Sequence, residues 1–397
     1  MKQLVCLQVH NDYLIPGGET KSAKLIASLL EKKGIKVIKY YKNNLMIKNG
    51  IMGKVGLVSQ SLYNTQTIDE VEKIIQKEHV NFALIHNTSP LISNSIYGVL
   101  NKNNIPVFKY LQNYNLLCLN GAIDQGEHCI KCKKNSFEGV RRSCYKGSKV
   151  YSLQKYIAKE IFDFKYKETI CGYIAISNYV KEKHIEYGLD PKKIDVIYHF
   201  IDGLDLSKGK SSAEEYIEND TYYLYMGRIS KEKGIFTLIK SFESLSNVKL
   251  KIMGIGESYL ELKNYVFENG LSNIEFLGYK DGEEKESIIK KAKALIVPSE
   301  WDEPFGRIVI ESYQNGTPVI GTNRGGLPEL IETSKTGFIF KAGSKSALID
   351  TINRFEGISL QEYLSIRENC INMILTKFNE DKFFDCFINM LSNRIKF

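Results

Sequence analysis

The stretch EWDEPFGRIVIESYQNGTPVIG, Glu300 to Gly321, joins two short apolar runs, ALIVPS at 294–299 and PVIGT at 318–322. Pro304 holds Glu303 in a loop, because the residue before a proline is pushed out of the helical region. Phe305 and Gly306 are expected to start a helix, with Glu311 two turns into it. Strand, helix and strand in this order read as one step of a parallel sheet with helices on both faces.

The same alternation runs outward in both directions. Ahead of it stand the apolar runs LVCLQV (4–9), KVIKY (36–40), FALIH (82–86), PVFKY (106–110), GYIAIS (172–177) and KIDVIY (193–198). TYYLYMG (221–227), VKLKIMG (248–254) and IEFLG (274–278) follow, and GFIF (337–340) closes the series. Helix-period segments separate them; Leu25, Ile26, Leu29 and Leu30 share one stripe between Lys21 and Lys33. The polar stretch LSKGKSSAEEYIEND (206–220) interrupts the pattern and reads as a domain boundary. The expected domains are 1–205, with a cysteine-bearing insertion at about 112–150, then 206–376, then a C-terminal helix at 377–397. That last helix carries Phe383, Phe384, Phe387, Ile388 and Leu391 at helical spacing and is expected to pack on the body. The fold class is α/β, two doubly wound domains facing each other. The carboxyl ends of their strands, where ligands of open parallel sheets bind, would meet at a cleft.

The 397 residues suffice for two domains and a sizeable core. The longest apolar runs are strand-sized, far short of the ~18 residues of a membrane span. The start MKQLVCLQVHND has no signal-peptide character, which reads as a cytoplasmic protein. Residues 1–205 carry 29 Lys and Arg against 19 Asp and Glu, whereas 206–397 carry 25 against 27. A basic first half suits an anionic partner such as a membrane surface or a phosphorylated acceptor, and equally a plain solvated surface. No nucleic-acid-binding motif accompanies it, so nucleic acid is not an expected partner.

Five features fall at the ends of strands, where such a cleft needs them. Gly17 and Gly18 in HNDYLIPGGET (10–20) open the first helix, whose N-terminus favours a phosphate. MGRISKEKG (226–234) follows the first strand of the second domain. There Gly227 allows close approach, and Arg228 and Lys233 offer permanent positive charge to a diphosphate. Glu303 and Glu311 suit sugar and ribose hydroxyls; a general acid and base pair is the rival use of two carboxylates. Gly325 and Gly326 in GTNRGGLPELIE (321–332) precede a second helix N-terminus. HNTSP (86–90) and QNYNLLC (112–118) end two strands of the first domain.

In this order the motifs resemble the retaining glycosyltransferases of family 4, of the GT-B fold with two facing Rossmann-like domains. The resemblance runs from residue 10 to about residue 340, and P-S-x-x-x-E-x-F-G-x-x-x-x-E is its most specific element. It implies that Arg228 and Lys233 hold the donor diphosphate, Glu303 contacts the donor sugar and Glu311 the ribose. Gly17 and Gly18 would close on the phosphates. Phe305 and Gly306 would offer backbone N–H groups, and the base would be read near Tyr279 and Lys280. The implied reaction moves a glycosyl group from a UDP- or GDP-sugar with retention, the phosphate helping to deprotonate the acceptor hydroxyl. Electrostatic stabilisation and positioning would then be the protein's task, with no catalytic cofactor. The implied setting is capsule, O-antigen or other surface polysaccharide, with a glycan or polyprenyl-diphosphate-linked acceptor. A nucleotide-sugar-binding protein of little activity and a GT-B sugar epimerase are the alternatives.

Two positions depart from the family pattern. Where many members carry a histidine in the first domain, this chain has Gln112, with His86 as the other candidate for its work. His199 replaces a usual asparagine near the hinge and is expected to be structural. The insertion adds Cys118, Cys129, Cys132 and Cys144, spaced C-x(10)-C-x(2)-C-x(11)-C, with His128 adjoining. Four thiolates suit a structural zinc; free or buried thiols are the alternative.

Overall fold

The computed structural model describes residues 3–13, 17–46, 59–123, 129–203 and 221–395. Two compact units emerge from it: residues 1–198 with 383–397, and residues 199–382. The boundary expected at 205/206 falls in 204–220, outside the described residues.

Each unit is built on a six-stranded parallel sheet. In the first, β1 (Val5–Asp12), β2 (Lys36–Asn43), β3 (Phe82–Ile85), β4 (Val107–Leu111), β5 (Gly172–Ala175) and β6 (Ile194–Val196) lie in the order β2-β1-β3-β4-β5-β6. In the second, β7 (Tyr222–Met226), β8 (Leu250–Met253), β9 (Ile274–Gly278), β10 (Ala292–Val297), β11 (Val319–Thr322) and β12 (Gly337–Phe340) lie in the order β12-β11-β10-β7-β8-β9. Every apolar run read as a strand is one. Sheets covered by helices on both faces give strands that are apolar throughout: β3, β4, β5 and β7 are buried at every position.

Strand order reverses between β1 and β3 in the first unit and between β7 and β10 in the second. Connections on the two sides of such a point leave in opposite directions, and a crevice opens outside the carboxyl ends of the two strands. The loops after β1 and β3, and after β7 and β10, are therefore the places to seek function.

The C-terminal helix Glu380–Arg394 places Phe383, Phe387, Met390 and Leu391 in the core, whereas Phe384 and Ile388 of the same stripe are only partly buried. Phe387 meets Phe82 with ring centroids 6.2 Å apart. Arg394 fastens the end, its Nε donating to Asp195 (2.8 Å) and its Nη2 to the Lys192 carbonyl (3.0 Å).

Candidate functional site

In the second unit the loop after β7 and the loop after β10 are stitched together. The backbone N–H of Glu300 donates to the Glu232 carbonyl at 3.0 Å. Gly234 sits at φ +69°, and a Cβ there would come within 1.9 Å of the Pro298 carbonyl oxygen, so the approach requires glycine. This clamp brings Lys233 onto Glu303 in an ion pair. Lys233 also lies over the Trp301 ring, 4.8 Å from its centroid, and Ser299 Oγ donates to Glu303 Oε1 at 2.8 Å. Burial pushes the Glu303 carboxyl up, but Lys233, Ser299 and Trp301 outweigh it and hold the group below its ordinary value. Glu303 is thus a buried, ionised acceptor of hydrogen bonds with a cation against it.

The loop after β11 closes the other side. Gly326 donates its N–H to the Glu303 carbonyl at 2.7 Å, and Gly325, at φ +59°, leaves 2.2 Å between a hypothetical Cβ and that carbonyl oxygen. The second anion-binding helix N-terminus expected here is therefore absent. The Gly326 N–H is spent on Glu303, and the helix that follows, Leu327–Leu330, is a single turn. The glycine pair instead fixes the backbone that carries Glu303.

The helix of the opening stretch runs Arg307–Gln314, with Gly306 as N-cap at φ +95°. It begins later than the sequence reading put it, because a positive φ at Gly306 ends the loop there. Glu311 is consequently its fifth residue, just over one turn in. Lys285 Nζ donates to Glu311 Oε2 at 2.6 Å, and Arg307 is near enough for Glu311 to support its charge against the lowering effect of burial. Phe305 is packed by its side chain against His199 and Phe378, so a ligand would meet it through its backbone. His199 is accordingly structural. Arg228 stands at the surface, its Nη2 donating to Glu232 Oε1 at 2.6 Å, and Tyr279 is exposed beyond the end of β9.

The first unit assembles a row of polar side chains from β2, from the middle of β1 and from the ends of β3 and β4. Tyr41 OH donates to Gln8 Oε1 (2.6 Å), and Gln8 Nε2 donates to the Ala23 carbonyl (3.0 Å) and to His86 Nε2 (2.9 Å). That assigns the His86 proton to Nδ1, which donates to Gln112 Oε1 at 3.2 Å. His86 is stacked on Tyr110, with centroids 4.7 Å apart. Burial and neighbouring His10 hold its pKa well below the ordinary value, so it is neutral at physiological pH. Gln112 is 9% exposed, and its Nε2 has no hydrogen-bond partner among the described residues. With the amide oxygen turned to His86, Gln112 presents a donor. His86 holds the Gln112 amide in one orientation.

Gly17 and Gly18 mark the start of the helix Gly18–Lys32, Gly17 as an extended N-cap. Next to them Glu19 Oε2 accepts from Tyr13 OH (3.0 Å) and Asn113 Nδ2 (3.1 Å). Burial raises its pKa, opposed by Lys109, which burial in turn lowers to about 8.

Cys118, Cys129, Cys132 and Cys144 are free thiols lining one small cavity of about 10 Å³, beside Lys131, Arg142 and Tyr187. Burial and the neighbouring thiols raise Cys132 to about 11. Among the described residues no group of three or more His, Cys, Asp or Glu side chains is placed to hold a metal ion. The four cysteines converge without forming a coordination group, and no step below passes through a metal. His128 lies outside the described residues.

Sequence reading missed Lys285, Ser299, Trp301, Glu232 and Gln8. Lys285 and Gln8 reach their partners only through tertiary packing, whereas Ser299 and Glu232 stand four residues from Glu303 and Arg228 inside the quoted motifs, where the spacing was the signal to use.

Residues 208–372 match the family of glycosyl transferases group 1. That match takes in less than half of the chain. The matched span contains Arg228, Lys233, Glu303 and Glu311. Two uncharacterised glycosyltransferases of Methanocaldococcus jannaschii align at 31% and 29% identity over 53% and 45% of this chain. The chain spans 58% and 50% of their lengths. A 42.6 kDa uncharacterised protein of the cps region of Klebsiella pneumoniae is 27% identical over 82% of both chains. Among solved structures, Anabaena Alr3699/HepE in complex with UDP and glucose superposes with a TM-score of 0.66. That match covers 98% of this chain and 99% of the other at 19% identity. The fold is GT-B.

Proposed function

We propose that this protein is a retaining glycosyltransferase that moves a sugar from a nucleoside-diphosphate sugar to an acceptor hydroxyl in the assembly of a cell-surface polysaccharide. The observation that carries the reading is the Lys233–Glu303 pair at the strand-order reversal of the second unit. The family match over the same span and the relative from a cps region support it. So does the similar fold solved with UDP-glucose.

In this reading Lys233 and Arg228 face the diphosphate, and Gly227 lets the backbone approach it. A leaving diphosphate gains negative charge as the glycosidic bond breaks, and cations already in place stabilise that charge without reorganisation. Glu303 accepts from sugar hydroxyls and Glu311 from the ribose diol, each held in place by a lysine. The base lies near Tyr279, Gly306 and Phe305 offer backbone N–H groups, and Gly17 and Gly18 approach the phosphates. Gln112 donates to a sugar oxygen; a neutral amide serves because the leaving phosphate takes the acceptor proton. The acceptor is a glycan or a lipid-diphosphate-linked sugar, and the enzyme works at the cytoplasmic face of a membrane.

The test is ¹H NMR of the sugar released by slow hydrolysis from a panel of α-linked UDP-, GDP- and ADP-sugars. Retention requires that the α-anomer appear before mutarotation; the β-anomer appearing first overturns the mechanism, and no turnover of any donor overturns the activity.

A further inference from the structure

The helix Lys149–Lys165 is turned the wrong way round for a protein surface. Its buried residues are Ser152 and Phe162. Val150, Leu153, Ile157 and Phe164 point outward, with Val150 68% and Phe164 88% exposed. At 3.6 residues per turn these four fall within an arc of about 60°, on the side opposite Ser152 and Phe162. An apolar stripe normally faces the core. Here it is presented to whatever the helix meets, and Phe137 extends it, half-exposed against Tyr156 at 5.3 Å between ring centroids.

The surroundings are cationic. Residues 131–165 hold ten Lys and Arg against three Asp and Glu. The three carboxylates are engaged locally: Glu138 with Arg141, Asp163 with Lys159, and Glu160 by the Ser136 hydroxyl at 2.7 Å. Lys146, Lys149 and Lys165 are exposed at the ends of the helix.

We propose that this face docks on an anionic lipid bilayer, the stripe entering the headgroup layer and the flanking lysines and arginines meeting the lipid phosphates. An outward apolar stripe bordered by cations is the composition of helices that lie in a membrane interface. A second copy of this chain fits less well, because two such faces would set like charges together. A nucleic acid would engage the cations and leave the stripe in water. Docking here goes beyond the donor-site reading and does not depend on it, since none of these residues belongs to that site.

The experiment is co-sedimentation of the full chain with vesicles of phosphatidylcholine, alone and mixed with phosphatidylglycerol. Wild type should bind the mixed vesicles and bind pure phosphatidylcholine about tenfold or more weakly, each basic residue at the surface contributing roughly fivefold. The pair Leu153→Glu and Ile157→Glu should lower binding to mixed vesicles about tenfold or more. A second pair, Lys146→Glu and Lys149→Glu, should do the same while leaving the stripe intact. Leu153 and Ile157 are about two-fifths exposed, so the variants are compared below their unfolding temperature, and neither pair should alter nucleoside diphosphate binding. Equal binding to the two vesicle types, no binding, or equal binding by wild type and the stripe variant overturns the proposal. A wild-type dimer that the stripe variant converts to monomer assigns the face to a second copy and overturns it too.

Discussion

Replacing Lys233 by alanine leaves the Glu303 carboxylate, 7% exposed, without its counter-charge. Removing one partner of a buried ion pair costs about 3–5 kcal/mol. Lys233 keeps 21% of its side chain in solvent, and Ser299 still donates to the carboxylate, so a loss of about 2–3 kcal/mol is expected. For a unit the size of residues 199–382 that lowers the melting temperature by roughly 4–12 °C. The pH dependence follows from the same charges. In the wild type Glu303 is held below its ordinary value, so its contribution to stability is present above about pH 4.3 and is lost as pH falls through the folded value. In the variant burial dominates and the carboxyl moves up. The penalty is then full above that raised value and fades as pH falls through it. Differential scanning calorimetry from about pH 7.5 to about pH 5 should therefore show the gap between the proteins narrowing. Adding Glu303→Gln should restore at least half of the lost stability, because a neutral amide no longer needs the ammonium. A double variant no more stable than Lys233→Ala, or a gap that does not change with pH, would refute the reasoning.

Gly325→Ala should destabilise by about 2–4 kcal/mol, since its Cβ would meet the Glu303 backbone at a positive φ; thermal melts measure it. His86→Ala should weaken sugar-donor turnover about tenfold and leave nucleoside diphosphate affinity unchanged, because it frees the Gln112 amide to rotate. The wild-type pH–rate profile should show no ionisation near the ordinary histidine value from His86, which burial keeps neutral there. Arg394→Ala should cost about 1–2 kcal/mol by releasing Asp195 and should speed amide exchange in the last turns of the helix Glu380–Arg394.

Strands were the most legible part of the chain. β3 and β12 are four-residue apolar runs between turn residues, and a run buried on both faces needs no partner to be recognised. The helix start at Arg307 was misjudged because the deciding fact is a positive φ at Gly306, which composition does not announce. The Gly325–Gly326 pair shows a deeper limit. In sequence it has the form of a phosphate loop, yet its N–H and its missing Cβ serve the Glu303 backbone, a partner set by the order of β10 and β11. The Gln8–His86–Gln112 row is illegible for the same reason: its members are separated by 78 and 26 positions and meet only because β1, β3 and β4 are neighbours in the sheet. Motif residues declare the charge they bring, and strand order decides what that charge meets.

If Lys233 at the strand-order reversal of the second unit holds a nucleoside diphosphate, its loss must weaken nucleotide binding. Isothermal titration of UDP, GDP and ADP into wild type and Lys233→Ala, below the variant's unfolding temperature, measures this. One nucleotide binding the wild type and binding the variant about tenfold or more weakly is the predicted result. No binding by any of the three, or equal affinity of the two proteins, would contradict it.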